Sequence, residues 1–281
     1  MAHHYSGPVA DPTSVAPRAA EGTAAFFDLD NTIVRGASAF HLAIGLQRRG
    51  FVGAPELVRF AVHQMRYLAL GENLDEIDRV RSRALSIVKG RSSAEITAIG
   101  EEIWDEVLSL RVFPGTQALL ADHLAAGHEV WIITASPVEV GELIGRRLGV
   151  TGALGTIAEQ KNGFYTGRLV GDMLHGRAKG EAVRELATRR GLDLAQCYAY
   201  GDSAHDMAIL SAVGHPVAIN PDPRLRRAAR AKGWPVREFR GRRRAAARGS
   251  VRAASWAGAA WAASVVVRAA RRALRQRGLP G

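Results

Sequence analysis

Four short apolar runs, each ending in a polar residue, constrain the fold of this 281-residue chain more than any other feature. Thr23-Ala24-Ala25-Phe26-Phe27 ends at Asp28, and His128-Glu129-Val130-Trp131-Ile132-Ile133 ends at Thr134. Gln196-Cys197-Tyr198-Ala199-Tyr200 ends at Gly201-Asp202, and Pro216-Val217-Ala218-Ile219 ends at Asn220-Pro221. Short, mainly apolar runs suit strands buried on both faces, as in parallel sheets covered by helices. Helical patterns lie between them: Thr116 to Ala126, opened by Pro114-Gly115 and closed by Gly127, and Arg177 to Arg190, closed by Gly191. Strands alternating with helices predict a doubly wound α/β parallel sheet. Such sheets bind ligands beyond the carboxyl ends of their strands, where Asp28, Thr134 and Asp202 fall.

The stretch from Ala37 to Val112 breaks this rhythm. Its apolar residues recur at helical spacing, in Leu57-Val58, Phe60-Ala61 and Met65 and again in Ile96, Ile99 and Ile103. An all-helical insertion between the first two strands predicts a cap over the strand ends. Lys161 to Val170 reads as a hairpin, because Asn162-Gly163 is a strong turn signal. Residues 1–22 are polar and rich in Pro and Ala, without the apolar core of a signal peptide, and read as a disordered lead-in. Cys197 is the single cysteine, which excludes an internal disulfide or a cysteine-based zinc cluster and suits a reducing compartment. These features predict a cytoplasmic protein.

The chemistry concentrates in acidic residues. Asp28 and Asp30 lie two apart after the first strand, with Asn31 and Thr32 following. Carboxylates this close repel unless a proton or cation intervenes, and an oxygen-rich site suits Mg²⁺. Asp202 and Asp206 are four apart, a spacing that predicts both on one face of a helix's first turn, where phosphate is also favoured. Lys179 offers a cation and Thr134 a hydroxyl for phosphate oxygens. Each motif has a plainer explanation when taken singly: a turn for the aspartate pair, an N-cap for Gly201-Asp202-Ser203, a solvated lysine for Lys179. It is their order, each at a strand end or helix start, that points to one site.

Asp28-Leu29-Asp30-Asn31-Thr32, Ile132-Ile133-Thr134, Lys179 and Gly201-Asp202-Ser203-Ala204-His205-Asp206 together resemble the four signature motifs of the haloacid dehalogenase superfamily. The resemblance runs from Ala24 to about Phe239. The insertion after the first motif looks like the cap of the phosphoserine-phosphatase branch, and Ile132 to Pro137 and Gly214 to Pro223 are similar to subfamily IB hydrolases. The resemblance implies a Rossmann-like core over 23–36 and 113–239 with a helical cap over 37–112. It also implies a Mg²⁺-dependent phosphomonoester hydrolase acting on a small phosphorylated metabolite or lipid-related phosphate. In that scheme Asp28 is the nucleophile that becomes an aspartyl-phosphate, and Asp30 is acid and then base. Mg²⁺ is held by Asp28, the Asp30 carbonyl and Asp202, with Asp206 in support. Thr134 and Lys179 orient the phosphoryl group, with Asn31, Thr32 and Ala135 lining the phosphate site.

Three positions depart from the phosphoserine-phosphatase pattern. Ala37 stands where a substrate-recognising glutamate is usual, Thr134-Ala135-Ser136 stands where Ser-Gly-Gly is, and His205 replaces an asparagine. Phosphoserine hydrolysis proper stays open as one alternative, and a membrane-tethered binding protein of the same fold without turnover as another.

The net charge of +11 is confined to the C-terminal part. Of 38 Lys and Arg residues, 11 lie in Arg240–Gly281, which has no acidic residue, so residues 1–239 carry 27 basic against 27 acidic side chains. The body therefore lacks a general charge excess for nucleic acid. Within 240–281, Ala253 to Val267 is uncharged and includes Trp256 and Trp261. Arg268, Arg271, Arg272 and Arg275 follow at helical spacing. This predicts an interfacial helix on an anionic membrane surface or a marginal span, with a solvated or disordered Arg-rich segment and RNA binding through the Arg residues as alternatives; the first would tether the protein to the inner face of the membrane.

Overall fold

The computed structural model describes residues 22–51, 53, 55, 85 and 88–240. Two compact units emerge, one of Met1–His41 with Gly90–Phe239 and the other of Leu42–Lys89 with Arg240–Gly281. The expectations placed on Leu57 to Met65 and on the Ala253 to Arg275 segment lie outside the described residues. Among the described residues, no helix is long and apolar enough to cross a membrane.

The strands are β1 (Ala24–Phe27), β2 (Glu129–Pro137), β3 (Gly152–Thr156), β4 (Ala158–Lys161), β5 (Phe164–Leu169), β6 (Tyr198–Gly201), β7 (His215–Ile219) and β8 (Val236–Arg237). Among the described residues the α-helices are α1 (Ser38–Arg48), α2 (Ser93–Ile103), α3 (Pro114–Ala125), α4 (Val138–Leu148), α5 (Arg177–Arg190), α6 (Met207–Leu210) and α7 (Pro223–Lys232). Six strands form one sheet in the order β3-β2-β1-β6-β7-β8, every pairing parallel. The chain winds outward from β1 through β2 and β3, then returns to the other side of β1 with β6. β1 and β6 therefore flank the topological switch, where the crevice of a doubly wound sheet opens. This is the α/β class that the apolar runs predict, with helices between β1 and β2.

All four residues of β1 are fully buried, as are Ile132 and Ile133 of β2. Burying Phe26, Phe27, Ile132 and Ile133 contributes about 1.5–3 kcal/mol each, so the centre of the sheet is a firm base for the residues at its carboxyl edge. Cys197 is buried beside β1, its sulfur accepting the Ala24 N–H at 3.3 Å. Two strands escape the sequence pattern. β3 (Gly-Ala-Leu-Gly-Thr) has too few large apolar residues to stand out, and β8 is only two residues long. The hairpin is β4–β5, with Asn162 (φ 54°) and Gly163 (φ 80°) in the left-handed region that its turn requires. On α2, Ile96, Ile99 and Ile103 are buried on one stripe, as their spacing predicts.

Candidate active site

Asp28 follows β1 directly, its N–H bonded to the Tyr200 carbonyl of β6 at 2.9 Å. The side chain is only 5% exposed. Lys179, in the first turn of α5 and 3% exposed, donates to Asp28 Oδ1 at 2.6 Å and to Asp206 Oδ1 at 2.8 Å. Burial opposes the charge on Lys179, but Asp206 and Asp28 outweigh it and hold the ammonium above its ordinary range. Burial, followed by the Asp206 charge, pushes the Asp28 carboxyl up against the pull of Lys179.

Asp202 and Asp206 come together by a route that differs from the predicted helix face. Asp202 precedes a short 3-10 turn, Ala204–Asp206, and the two residues do not share a helix. Instead Asp206 turns back, its Oδ2 accepting the N–H of Asp202 (3.1 Å), the N–H of Ser203 (3.2 Å) and the Ser203 hydroxyl (3.3 Å). A capping box between Ser203 and Asp206, together with the bond from the Asp202 N–H, takes the place of helical periodicity. Gly201 makes the turn fit, since a Cβ there would lie 2.5 Å from the Asp206 Cβ. Asp222 holds the loop from the other side. Its N–H bonds the Asp202 carbonyl at 2.8 Å, while its carboxylate accepts from Ala204 N and caps α7 through Leu225 N. The only sequence signal for Asp222 is the capping residue set before Pro223.

Oxygen atoms of Asp28, Asp202 and Asp206 lie within 4.8 Å of one another and can hold a metal ion. Three carboxylates face one ammonium, leaving an excess of two negative charges that a divalent cation balances. An all-oxygen donor set of this kind suits a hard cation such as Mg²⁺.

Asp30 is placed by two serines that stand in the sequence without an evident role. Its Oδ1 accepts the Ser38 N–H at the start of α1 (2.8 Å), and its Oδ2 accepts the Ser136 hydroxyl (3.1 Å). Burial raises the Asp30 carboxyl and these bonds offset part of the rise. Thr134 is buried, its hydroxyl oxygen accepting the Ser136 N–H at 3.0 Å. The Ala135 carbonyl accepts the Thr156 hydroxyl at 2.8 Å. Asn31 sits at φ 63°, its side-chain oxygen accepting the Gly36 N–H and its carbonyl accepting from the Asn220 amide. Thr32 is fully buried, with its hydroxyl unpaired among the described residues and its carbonyl bonded to the Thr116 hydroxyl. The structure thus gathers Asp28, Lys179, Asp202 and Asp206 in one cluster and ties Asp30 to the Thr134–Ser136 turn. Ala37 begins the turn into α1 with its carbonyl bonded to Phe40 N, and has only a methyl to offer. His205 lies on the 3-10 turn with its ring 4.3 Å from that of His175.

The family model of the haloacid dehalogenase-like hydrolases matches residues 25–211. The phosphoserine phosphatase SerB1 of Mycobacterium tuberculosis is 50% identical over 224 residues, which cover 79% of this chain and 73% of that protein. The histidinol-phosphatase of Neisseria meningitidis is 29% identical over 220 residues, covering 77% of this chain and 98% of that one. Among solved structures, a protein of unknown function from Bordetella pertussis superposes with a TM-score of 0.70 at 31% identity, covering 78% of this chain and 99% of that one.

Proposed function

The chain belongs to the haloacid dehalogenase-like hydrolases and is a phosphatase of that family; from that premise we propose that it hydrolyses small phosphomonoesters through a phosphorylated Asp28, with Mg²⁺ as cofactor. The observation that carries this reading is the buried contact between Asp28 and Lys179 at the β1/β6 switch. An oxygen of Asp28 attacks phosphorus and forms an O–P bond as the bond to the leaving oxygen breaks. The leaving oxygen keeps the electron pair and takes a proton from Asp30. Asp30 then takes a proton from water as the water oxygen attacks phosphorus. The Asp28–phosphorus bond breaks, returning its electron pair to the carboxylate and freeing inorganic phosphate.

Lys179 keeps positive charge beside the attacking carboxylate, and Thr134 and the Ala135 backbone line the place for phosphoryl oxygens. Asn31 and Thr32 shape the loop that carries Asp30. Asp28, the Asp30 carbonyl and Asp202 would hold Mg²⁺, with Asp206 bracing Asp202 and Lys179. The ion would supply charge to offset that of the carboxylates and the substrate phosphate.

The test is phosphate release from p-nitrophenyl phosphate, with acid-quenched peptide mapping for phosphate on Asp28. Asp28→Asn should abolish turnover, chelation should remove it, and Asp202→Asn should weaken the Mg²⁺ requirement constant by about 10–100-fold. Turnover that survives Asp28→Asn would sink the covalent route.

The 50% identity to a phosphoserine phosphatase favours a second reading, in which the substrate is L-phosphoserine itself. Ala37 weighs against it, because a methyl cannot pair with a substrate ammonium. A panel of L-phosphoserine, sugar phosphates and a lysophosphatidic acid in vesicles separates these readings, and the vesicle arm also tests the anionic-membrane expectation.

A further inference from the structure

We infer that Ser136, backed by Ser38, is the positioning residue that aims the Asp30 carboxyl group at the leaving oxygen; this rests on the reading of Asp30 as the proton donor. The β2–β3 pairing runs in register through Ile133↔Leu154 and resumes at Pro137↔Thr156. Four residues advance on β2 for two on β3, so Thr134, Ala135 and Ser136 form an irregular step near the strand's end. Such steps re-aim side chains at the rims of sheets. Here the step delivers the Ser136 hydroxyl to Asp30 Oδ2 at 3.1 Å.

The same hydroxyl lies 3.0 Å from the Ser38 hydroxyl. With Ser136 donating to Asp30, its oxygen is left to accept from Ser38, giving a chain from Ser38 to Ser136 to Asp30. Ser38 also sends its own backbone N–H to Asp30 Oδ1 at 2.8 Å. Both serines are buried, Ser38 completely and Ser136 with 6% exposure. Water therefore has little access to replace them, and a buried hydroxyl without its partner is costly enough to hold the chain in one arrangement.

Each Asp30 oxygen is thus bonded from the protein side, which fixes the plane of the carboxyl group. The lone pairs left over are those available to carry the proton outward. Thr134 is tied into the same step, since its hydroxyl accepts the Ser136 N–H. Acid positioning and phosphate positioning accordingly share one irregular turn.

A proton donor matters most when the leaving oxygen is strongly basic, and least when it departs readily as a stable anion. The experiment measures kcat/KM, which covers the steps through leaving-group release, for p-nitrophenyl, phenyl and simple alkyl phosphates with Mg²⁺. Ser136→Ala should lose about tenfold or more on the alkyl ester while changing less than about threefold on p-nitrophenyl phosphate. Ser136→Thr, which keeps a hydroxyl, should recover most of the loss, and Ser38→Ala should show a weaker form of the same pattern. A uniform fall across all three esters, or none, overturns the inference.

Asp30→Asn is run beside these variants. If it shows the steep leaving-group dependence and Ser136→Ala does not, the positioning role alone fails. If Asp30→Asn shows no such dependence, the proton-donor reading fails and takes this inference with it. Should Ser136→Ala not fold, as judged by circular dichroism, the Ser136→Thr and Ser38→Ala slopes decide.

Discussion

The Lys179 ammonium lies 2.6 Å from Asp28 Oδ1, joining the first turn of α5 to the residue just after β1. Both side chains are almost completely buried, and the same nitrogen also bonds Asp206. One cation therefore pairs with Asp28 and Asp206 together. Buried charges are tolerated only when paired, so this lysine carries a structural duty beside any catalytic one.

Lys179→Met tests that double duty. The variant keeps side-chain length but leaves Asp28 and Asp206 facing each other without their cation. Turnover should fall at least about a hundredfold. Stability by urea denaturation without Mg²⁺ should drop by about 3–5 kcal/mol. Added Mg²⁺ should restore part of the stability but little of the turnover. Unchanged stability without Mg²⁺ would show that the buried pair is less consequential than its geometry indicates.

Gly201→Ala probes the capping box. The new methyl would sit 2.5 Å from Asp206 Cβ and 2.8 Å from its Cγ, atoms close to the backbone with little freedom to move away. Overpacking of this kind costs about 1–3 kcal/mol. The urea midpoint should fall with an unchanged slope, and turnover should fall with it as Asp206 is displaced from Lys179.

Outside the acid cluster, a buried histidine should make stability depend on pH. His123 Nε2 lies 2.7 Å from the Tyr200 hydroxyl and its Nδ1 2.8 Å from His128 Nδ1. Burial, helped by the neighbouring His128 and opposed by Asp122, lowers the His123 pKa to about 4. Between pH 6.5 and 4 the unfolded chain then binds a proton that the folded chain does not, so stability is full above 6.5 and is lost as pH falls. From pH 6.5 to 5 the loss attributable to His123 should be about 1–2 kcal/mol. Burial also lowers His128, so some dependence persists when His123 is removed. His123→Gln should flatten the profile in this window, measured by urea denaturation at both pH values. Parallel profiles for the two proteins would count against a neutral buried His123.

The sequence alone determined the sheet class, because a strand buried on both faces must be nearly all apolar and ends visibly where a polar residue begins. Asp28, Thr134 and Asp202 were legible for that reason, as residues standing at strand ends. Lys179 was legible only as a member of a motif, since a lysine on a helix looks the same whether solvated or buried. Tertiary structure decided its partners: helix α5 sets Lys179 between Asp28 and Asp206, residues far apart in the chain. It also decided that Asp206 turns back onto Asp202 beside a Ser203–Asp206 capping box, because backbone hydrogen bonds rather than spacing choose between that and a helical face. Ser38 and Ser136 were plain serines in the sequence. Nothing local distinguishes a hydroxyl that will be buried against Asp30 from one in water, and only the irregular end of β2 brings them together.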